Sequence, residues 1–237
     1  MKDNNMNYAI ILAGGTGTRL KNKTPKQFIK IKDKPIIIYS LETFDKHNNI
    51  HGIIVVCEKN NIDYLNSLVK EYKLDKVKWI IQGGDTFQLS VANGVNYLKD
   101  KINDNDNVLI HWSAAPLVTN DIIQDSINIC NIYGNAISTT NFYHLAGIKD
   151  NNIKSTKWLD RDKIACLSTP HTFNYKYIYN LYNNAIEKGI INLVEPHTTS
   201  LMYHIGDPIY FSKGSNLNIK ITTKEDLILM EALLNIL

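Results

Sequence analysis

A doubly wound α/β fold with a mostly parallel sheet is the architecture this chain predicts, on three observations. Short β-branched runs alternate with longer segments of helical spacing, the first run ends in a glycine-rich turn, and one stretch breaks the rhythm as a hairpin does. The runs Tyr8–Leu12, Gly52–Cys57, Val77–Ile81 and Val108–His111 have the length and polar flanks of strands buried on both faces. Between them Ile36–Lys46, Ile62–Tyr72, Gln88–Lys99 and Thr119–Tyr133 carry apolar residues at helical spacing. From Ala136 to Arg161 the turn-like Lys149-Asp150-Asn151-Asn152 is flanked by expected strands at Ala136–Thr140 and Ile153–Leu159. This predicts an arm over about residues 138–162 that leaves the main body. Alternation returns with a helix at Tyr175–Lys188, strands near Ile209–Ser212 and at Asn218–Ile221, and a last helix at Lys224–Leu237. The expectation is one Rossmann-like domain, residues 1–237, with a protruding β-hairpin.

Composition narrows the class. With 237 residues, 44% hydrophobic and 21% charged, the chain can bury a sizeable core. The net charge of +3 is not gathered into a Lys/Arg block, which points away from nucleic acid and toward a small anionic substrate. Cys57, Cys130 and Cys166 are far apart and show no metal-ligand spacing, so they read as reduced thiols. The polar start Met1–Asn7 is followed by an apolar run too short for a signal or a membrane span, and a cytoplasmic protein with no membrane contact is expected.

After the first run comes Leu12-Ala13-Gly14-Gly15-Thr16-Gly17-Thr18-Arg19-Leu20, then Thr24-Pro25-Lys26-Gln27. Glycines here let the backbone bend and turn several N–H groups toward one point, an anion cradle, with Arg19 and Lys26 adding fixed charge around a triphosphate. The spacing is neither GxGxxG nor the Walker pattern ending in GK[ST], which argues against NAD and against an ATPase.

These residues resemble the opening signature of nucleotidyltransferases of the methylerythritol-phosphate and ribitol-phosphate cytidylyltransferase type. Four further segments match in order. Gln82-Gly83-Gly84-Asp85-Thr86-Phe87-Gln88-Leu89-Ser90-Val91 is similar to the family's GGxxRxxSV. His111-Trp112-Ser113-Ala114-Ala115-Pro116 stands at HDAARP. Asp160-Arg161 with Thr169-Pro170-His171 stands at an Arg followed by TPQ, and Asn218-Ile219-Lys220-Ile221-Thr222 matches NIKIT. The resemblance implies transfer of a cytidylyl group from CTP to a phosphorylated small polyol or sugar, with Mg²⁺ or another divalent cation on the triphosphate. By position, Gly14, Gly15, Thr16, Gly17 and Arg19 would grip the triphosphate, and Lys26 and Lys220 would bracket the α-phosphate. Gly84, Asp85 and Ser90 would read cytosine, and Leu12, Ala13 and Gly83 belong to the same nucleotide-binding set. Arg161 would reach the acceptor phosphate across a homodimer formed by exchanged arms.

The departures gather on the acceptor side. Trp112 replaces the motif's Asp, Ala115 its Arg, Phe87 the Arg of GGxxRxxS and His171 the Gln of TPQ, while Pro196-His197 falls on a Thr-Asp pair. Mg²⁺ takes oxygen ligands, so Trp112 leaves the metal ligands unassigned. Trp112, Ser113, His171 and His197 are the expected acceptor pocket. Two readings stand beside each other: an active enzyme with a different acceptor, or a nucleotide-binding homologue that serves as a partner subunit. A sugar-1-phosphate nucleotidylyltransferase is a third.

Overall fold

A computed structural model of the chain describes residues 5–15, 24–192, 195 and 197–236. Strand β1 (Asn7–Ala13) is followed by a 3₁₀ turn at Lys26–Phe28, the short ribbon of β2 (Lys30–Ile31) and β3 (Lys34–Pro35), and helix α1 (Ile36–Lys46). Then come β4 (Gly52–Cys57), α2 (Ile62–Glu71), β5 (Val77–Gln82), α3 (Phe87–Tyr97), β6 (Asn107–Trp112) and α4 (Asn120–Tyr133). The second half runs β7 (Asn135–Asn141), β8 (Gly147–Lys149), β9 (Ser155–Trp158), β10 (Ala165–Asn174), α5 (Tyr175–Glu187), α6 (Thr198–Ile205), β11 (Phe211–Lys213) and α7 (Lys224–Leu233).

Seven strands form one sheet in the order β11-β7-β10-β6-β1-β4-β5. All neighbours are parallel except β10, which runs antiparallel to both β6 and β7. The period of two along each strand divides the core. Ala9, Ile11, Ile53, Val55, Cys57 and Leu109 face the apolar sides of α1, α2 and α4. Ile10, Leu12, Ile54, Val56, Val108 and Ile110 face α3, α5 and α6. Both faces are covered, which is why these strands read as continuous apolar runs.

The first half of the chain winds outward from β1 to β4 and β5, then returns to place β6 on the other side of β1. That reversal opens a crevice beyond the carboxyl ends of β1 and β6, where open α/β sheets bind ligands. Leu12 is in register with Trp112 at its edge.

The structure corrects several elements. Asn218–Ile221 is not a strand. The segment is pinned across the sheet end instead, by Ile221 N donating to the Ala114 carbonyl at 2.7 Å and Asn218 Nδ2 donating to the Thr169 carbonyl at 3.0 Å. Ala136–Thr140 belongs to the main sheet, so the arm narrows to β8 paired with β9. Four elements had no strong signal. β10 contains Thr169-Pro170 and shifts register against β7 between Leu167 and His171, which breaks the alternation a strand is read from. α6 is eight residues long, too short for helical periodicity, and β2 and β3 span two residues each.

A buried relay ties α3, α5 and α6 together. The Tyr182 hydroxyl donates to Gln88 Oε1 at 2.8 Å and lies 2.8 Å from Thr198 Oγ1, while Gln88 Nε2 donates to the His197 carbonyl at 3.0 Å. Tyr182→Phe strands a buried acceptor and is expected to lower unfolding free energy by about 1–3 kcal/mol, read from urea denaturation. An unchanged midpoint contradicts the relay.

Candidate active site

Each wall of the crevice has its own local cause. The first is the end of β1. Gln27 is buried and donates from Nε2 to the Ala13 carbonyl at 2.7 Å, fixing the point where the chain leaves the sheet. Gly14 and Gly15 follow, exposed to the cleft. Among the described residues, a Cβ at Gly14 would find only Ser90 Oγ at 4.0 Å, and at Gly15 only Lys26 Cε at 3.5 Å. Packing against the described residues does not demand glycine at either position. What a side chain would occupy there is cleft, so the bare backbone is open to a ligand. Lys26 extends over the same space, its Nζ 3.2 Å from the Ile221 carbonyl.

The second wall is the turn from β5 into α3. Here glycine is demanded by packing: a Cβ at Gly83 would meet Ser90 Oγ at 2.7 Å, and one at Gly84 would meet Leu89 Cβ at 2.4 Å. Ser90 Oγ lies 3.1 Å from both the amide and the carbonyl of Gly84, which locks the turn to the helix. Thr86 caps α3 by accepting from Leu89 N at 3.2 Å. Asp85 stands between them at the mouth.

The third wall is aromatic. Phe87, His197, Trp112 and His171 contact one another in sequence, with ring centroids 5.3, 5.9 and 6.1 Å apart. Lys220 Nζ lies 3.8 Å above the centre of the Trp112 indole. His171 is buried and is not among the residues lining the cleft, so it supports Trp112 from behind. Ser113 and Ala114 complete this side. A second recess, lined by Cys57, Glu58, Lys59, Gln82 and Gly83, shares Gly14, Gly15, Gly84, Asp85 and Ser90 with the first.

The structure thus gathers Leu12, Gly14, Gly15, Lys26, Gly84, Asp85, Ser90, Trp112, Ser113 and Lys220 around one cleft. Gly83 lines the second recess, Ala13 is buried in the core at the end of β1 and does not line the cleft, and His197 reaches it through Trp112 and Phe87. Thr16, Gly17 and Arg19 lie outside the described residues. Arg161 is on the arm, donating from Nη1 to the Tyr143 carbonyl at 3.3 Å, and does not line this chain's own cleft. Gln27 and Gln88 are positioning residues that sequence reasoning did not single out. Gln27 was within reach of it, adjoining Lys26 in the same motif, whereas the Gln88 relay depends on a tyrosine 94 positions away.

The histidines beneath the site are neutral. Burial pulls His111 down to about 4, opposed by its hydrogen bond to the Ala115 carbonyl at 2.9 Å. Burial pulls His171 down to about 3, with His197 adding to the shift. His197 is lowered by burial and then by Lys220. For His111 and His171 the unfolded chain binds more protons than the native one below the ordinary value of about 6.5. Their contribution to stability is whole above that pH and is lost as pH falls toward 4 and then 3. The expected slope for the pair approaches about 2.7 kcal/mol per pH unit. His171→Gln is expected to remove about half of it, and equal slopes in wild type and variant between pH 6 and 4 contradict the buried neutral state.

The side chains of the cleft do not match what a divalent cation requires. The position of the motif's carboxylate holds an indole with an ammonium group on its face. Asp85 is the carboxylate residue lining the cleft, and among the described residues no cluster of three His, Cys, Asp or Glu could hold a metal. A hard cation needs oxygen ligands, so these side chains do not form a protein seat for Mg²⁺.

Comparisons with known proteins agree with the geometry. The family model described as IspD, 2-C-methyl-D-erythritol 4-phosphate cytidylyltransferase, matches residues 7–236. The chain is 38% identical over 226 residues to the ribitol-5-phosphate cytidylyltransferase of Lacticaseibacillus paracasei, covering 95% of this chain and 97% of the relative. It is 39% identical over 227 residues to the 2-C-methyl-D-erythritol 4-phosphate cytidylyltransferase of Clostridium tetani, covering 95% and 89%. Among solved structures, the 4-diphosphocytidyl-2C-methyl-D-erythritol synthase of Anaerococcus prevotii superposes with a TM-score of 0.84 at 24% identity over 98% of this chain and 97% of its own. The Francisella tularensis 2-C-methyl-D-erythritol 4-phosphate cytidylyltransferase gives 0.77 at 28% identity over 96% and 99%. With the fold, the motif order and these relatives in agreement, the chain belongs to the 2-C-methyl-D-erythritol 4-phosphate cytidylyltransferase family and is a nucleotidyltransferase.

Proposed function

We propose that the protein transfers CMP from CTP to the phosphate of a small polyol or sugar-like phosphate, releasing pyrophosphate. The observation that carries this is the convergence, at one switch-point cleft, of exposed Gly14 and Gly15 at the end of β1, a glycine–serine turn and two lysines, Lys26 and Lys220. The glycine turn supports the triphosphate with backbone N–H groups. The Gly83–Ser90 turn presents fixed backbone donors and acceptors to the base, and Asp85 stands at its edge. An acceptor phosphate oxygen attacks the α-phosphorus, and the bond to the bridging oxygen of the β-phosphate breaks as pyrophosphate leaves. The chain's part is to hold two anions together and neutralise charge, which is the larger share of catalysis in such transfers.

In this proposal the protein works in the cytoplasm as a homodimer. The arm's exposed apolar residues Leu145, Ile153 and Trp158 support docking on a second copy, which would bring Arg161 to the neighbour's acceptor phosphate. Among the described residues no helix is long and apolar enough to cross a membrane. A divalent cation, where used, arrives on the triphosphate. The neutral wall of Trp112 and Phe87 stands where the resemblance leads one to expect an acid and an arginine, so acceptor choice differs from a pattern built on those charges.

The test is pyrophosphate release from CTP against a panel including ribitol-5-phosphate, 2-C-methyl-D-erythritol 4-phosphate and sugar phosphates. Turnover with one member is expected. CTP binding without turnover on any acceptor overturns the transfer reading in favour of a partner subunit.

A further inference from the structure

Lys220 sits in a segment that is not part of the sheet. Whatever its ammonium touches, its reach into the cleft is set by where the backbone of residue 220 starts. On the downstream side that backbone is fixed several times over. Ile221 is fully buried among Ile31, Ile36, Ala114 and Met230, and its N–H donates to the Ala114 carbonyl at 2.7 Å. The amides of Thr222 and Thr223 both donate to Asp226 Oδ2 at 2.7 Å, at the capping box that starts α7. Lys26 Nζ reaches the Ile221 carbonyl at 3.2 Å, so the other lysine of the cleft touches the same segment.

The upstream side is held differently. Of residues 213–220, Asn218 is the one that is buried. The amides of Asn218 and Ile219 bond to the Ser215 and Leu217 carbonyls, which shapes a local turn without tying it to the sheet. The tie is the Asn218 side chain, whose Nδ2 donates to the Thr169 carbonyl at 3.0 Å. That carbonyl is available for a physical reason. Pairing of β10 with β7 passes from Leu167 straight to His171, and pairing with β6 begins at His171, so the ladder skips Thr169. Thr169 is fully buried, and a carbonyl there needs a donor. Asn218 supplies it, and leaves its own Oδ1 buried with no partner among the described residues. The orphaned acceptor offsets much of what the bond contributes to stability, so the gain that remains is geometric.

We propose that Asn218 is a positioning residue for the transfer. By hanging the turn on β10 it fixes the upstream end of the segment, and with it the point from which Lys220 reaches the reacting phosphate. This rests on the cytidylyltransferase reading.

The signature differs from that of a structural tie. Asn218→Leu keeps the branched shape, removes the orphaned acceptor and leaves the Thr169 carbonyl as the new orphan. One unmet group replaces another, and the melting temperature is expected to stay close to that of the wild type. Turnover is expected to suffer instead. Misplacing a reacting group by about 1 Å is enough to slow a reaction about 100-fold, so kcat should fall by about tenfold to 100-fold. Affinity for CTP should change by less than about threefold, because an aligned cation acts chiefly on charge that develops in the transition state.

Thermal unfolding, CTP binding by calorimetry and steady-state kinetics with the acceptor that gives turnover are measured on the full-length wild type and on Asn218→Leu. Asn218→Ala repeats the test without a bulkier side chain. In the wild type, NMR of the Asn218 side-chain amide is expected to show slow exchange with solvent, which reads the bond with no substitution. A kcat equal to wild type in either variant, a loss of CTP affinity as large as the loss of kcat, or an Asn218 amide that exchanges as fast as exposed ones overturns the proposal. A lowered melting temperature with unchanged kcat makes Asn218 a structural tie and overturns it as well. Absence of turnover by the wild type with every acceptor sinks the cytidylyltransferase reading and the proposal with it, an outcome told apart from the others because it appears before any substitution is made.

Discussion

Lys220→Ala is expected to leave the chain folded and to remove transfer. The side chain is exposed to the cleft, and its ammonium lies on the face of the Trp112 indole. Its loss should therefore change stability by no more than about 0.5 kcal/mol, the range of exposed substitutions. The loss to catalysis is of another size. An aligned cation facing a phosphorus centre acts on the charge that develops in the transition state, and removing one such group lowers kcat by about 100-fold to 1000-fold. The two effects are separated by measuring thermal unfolding and steady-state kinetics on the same preparation. An unchanged kcat contradicts the role assigned to Lys220, and a large fall in melting temperature contradicts its placement.

Gly84→Ala carries the second large effect, through geometry rather than charge. Its Cβ would lie 2.4 Å from Leu89 Cβ and 3.0 Å from the Leu89 backbone carbon. The clash is with the first turn of α3, which cannot yield as the tip of a flexible side chain can. The Gly84 turn must swing outward instead, breaking both contacts to Ser90 and displacing Asp85. Overpacking of this kind costs about 1–3 kcal/mol of stability. Affinity for CTP is expected to fall by about tenfold or more, since 1.4 kcal/mol of lost base recognition gives that factor. Gly14→Ala is the contrasting case. Its Cβ meets no atom of the described residues closer than 4.0 Å, so stability should hold while nucleotide binding falls. Equal stability loss in both variants contradicts the distinction between a glycine kept for packing and one kept for a ligand.

The sequence was legible wherever a single physical period ran long enough. The bounds of β4 and α1 were read to the residue, because β4 is buried on both faces and α1 carries an unbroken apolar stripe up to Phe44. Legibility failed where one residue served two geometries. Thr169-Pro170 and the register shift beside it hid β10, although that strand closes the sheet against β6 and carries His171. Asn218–Ile221 has the β-branched composition of a strand, but Asn218 N and Ile219 N bond within their own turn, to the Ser215 and Leu217 carbonyls, and Ile221 N bonds to Ala114 in the loop after β6.

The site divided in the same way. Glycines and lysines near the first strand could be assigned to one cleft, because the fold's reversal between β1 and β6 brings such residues together whatever the rest of the chain does. The aromatic wall could not be assembled beforehand. Phe87, Trp112, His171 and His197 come from α3, β6, β10 and the start of α6, and their contacts exist only once β10 and α6 are in place. The cation–π contact with Lys220 follows from two anchoring bonds at the sheet end, neither of which has a sequence signature.

Phosphorus-31 NMR of the protein incubated with CTP and the phosphorylated polyol panel tests the central claim most directly. The account predicts loss of the three triphosphate signals, growth of pyrophosphate, and a new pair of coupled signals from the diphosphate bridge joining cytidine to the acceptor. Formation of CDP and inorganic phosphate, or an unchanged CTP spectrum with every acceptor, would contradict it.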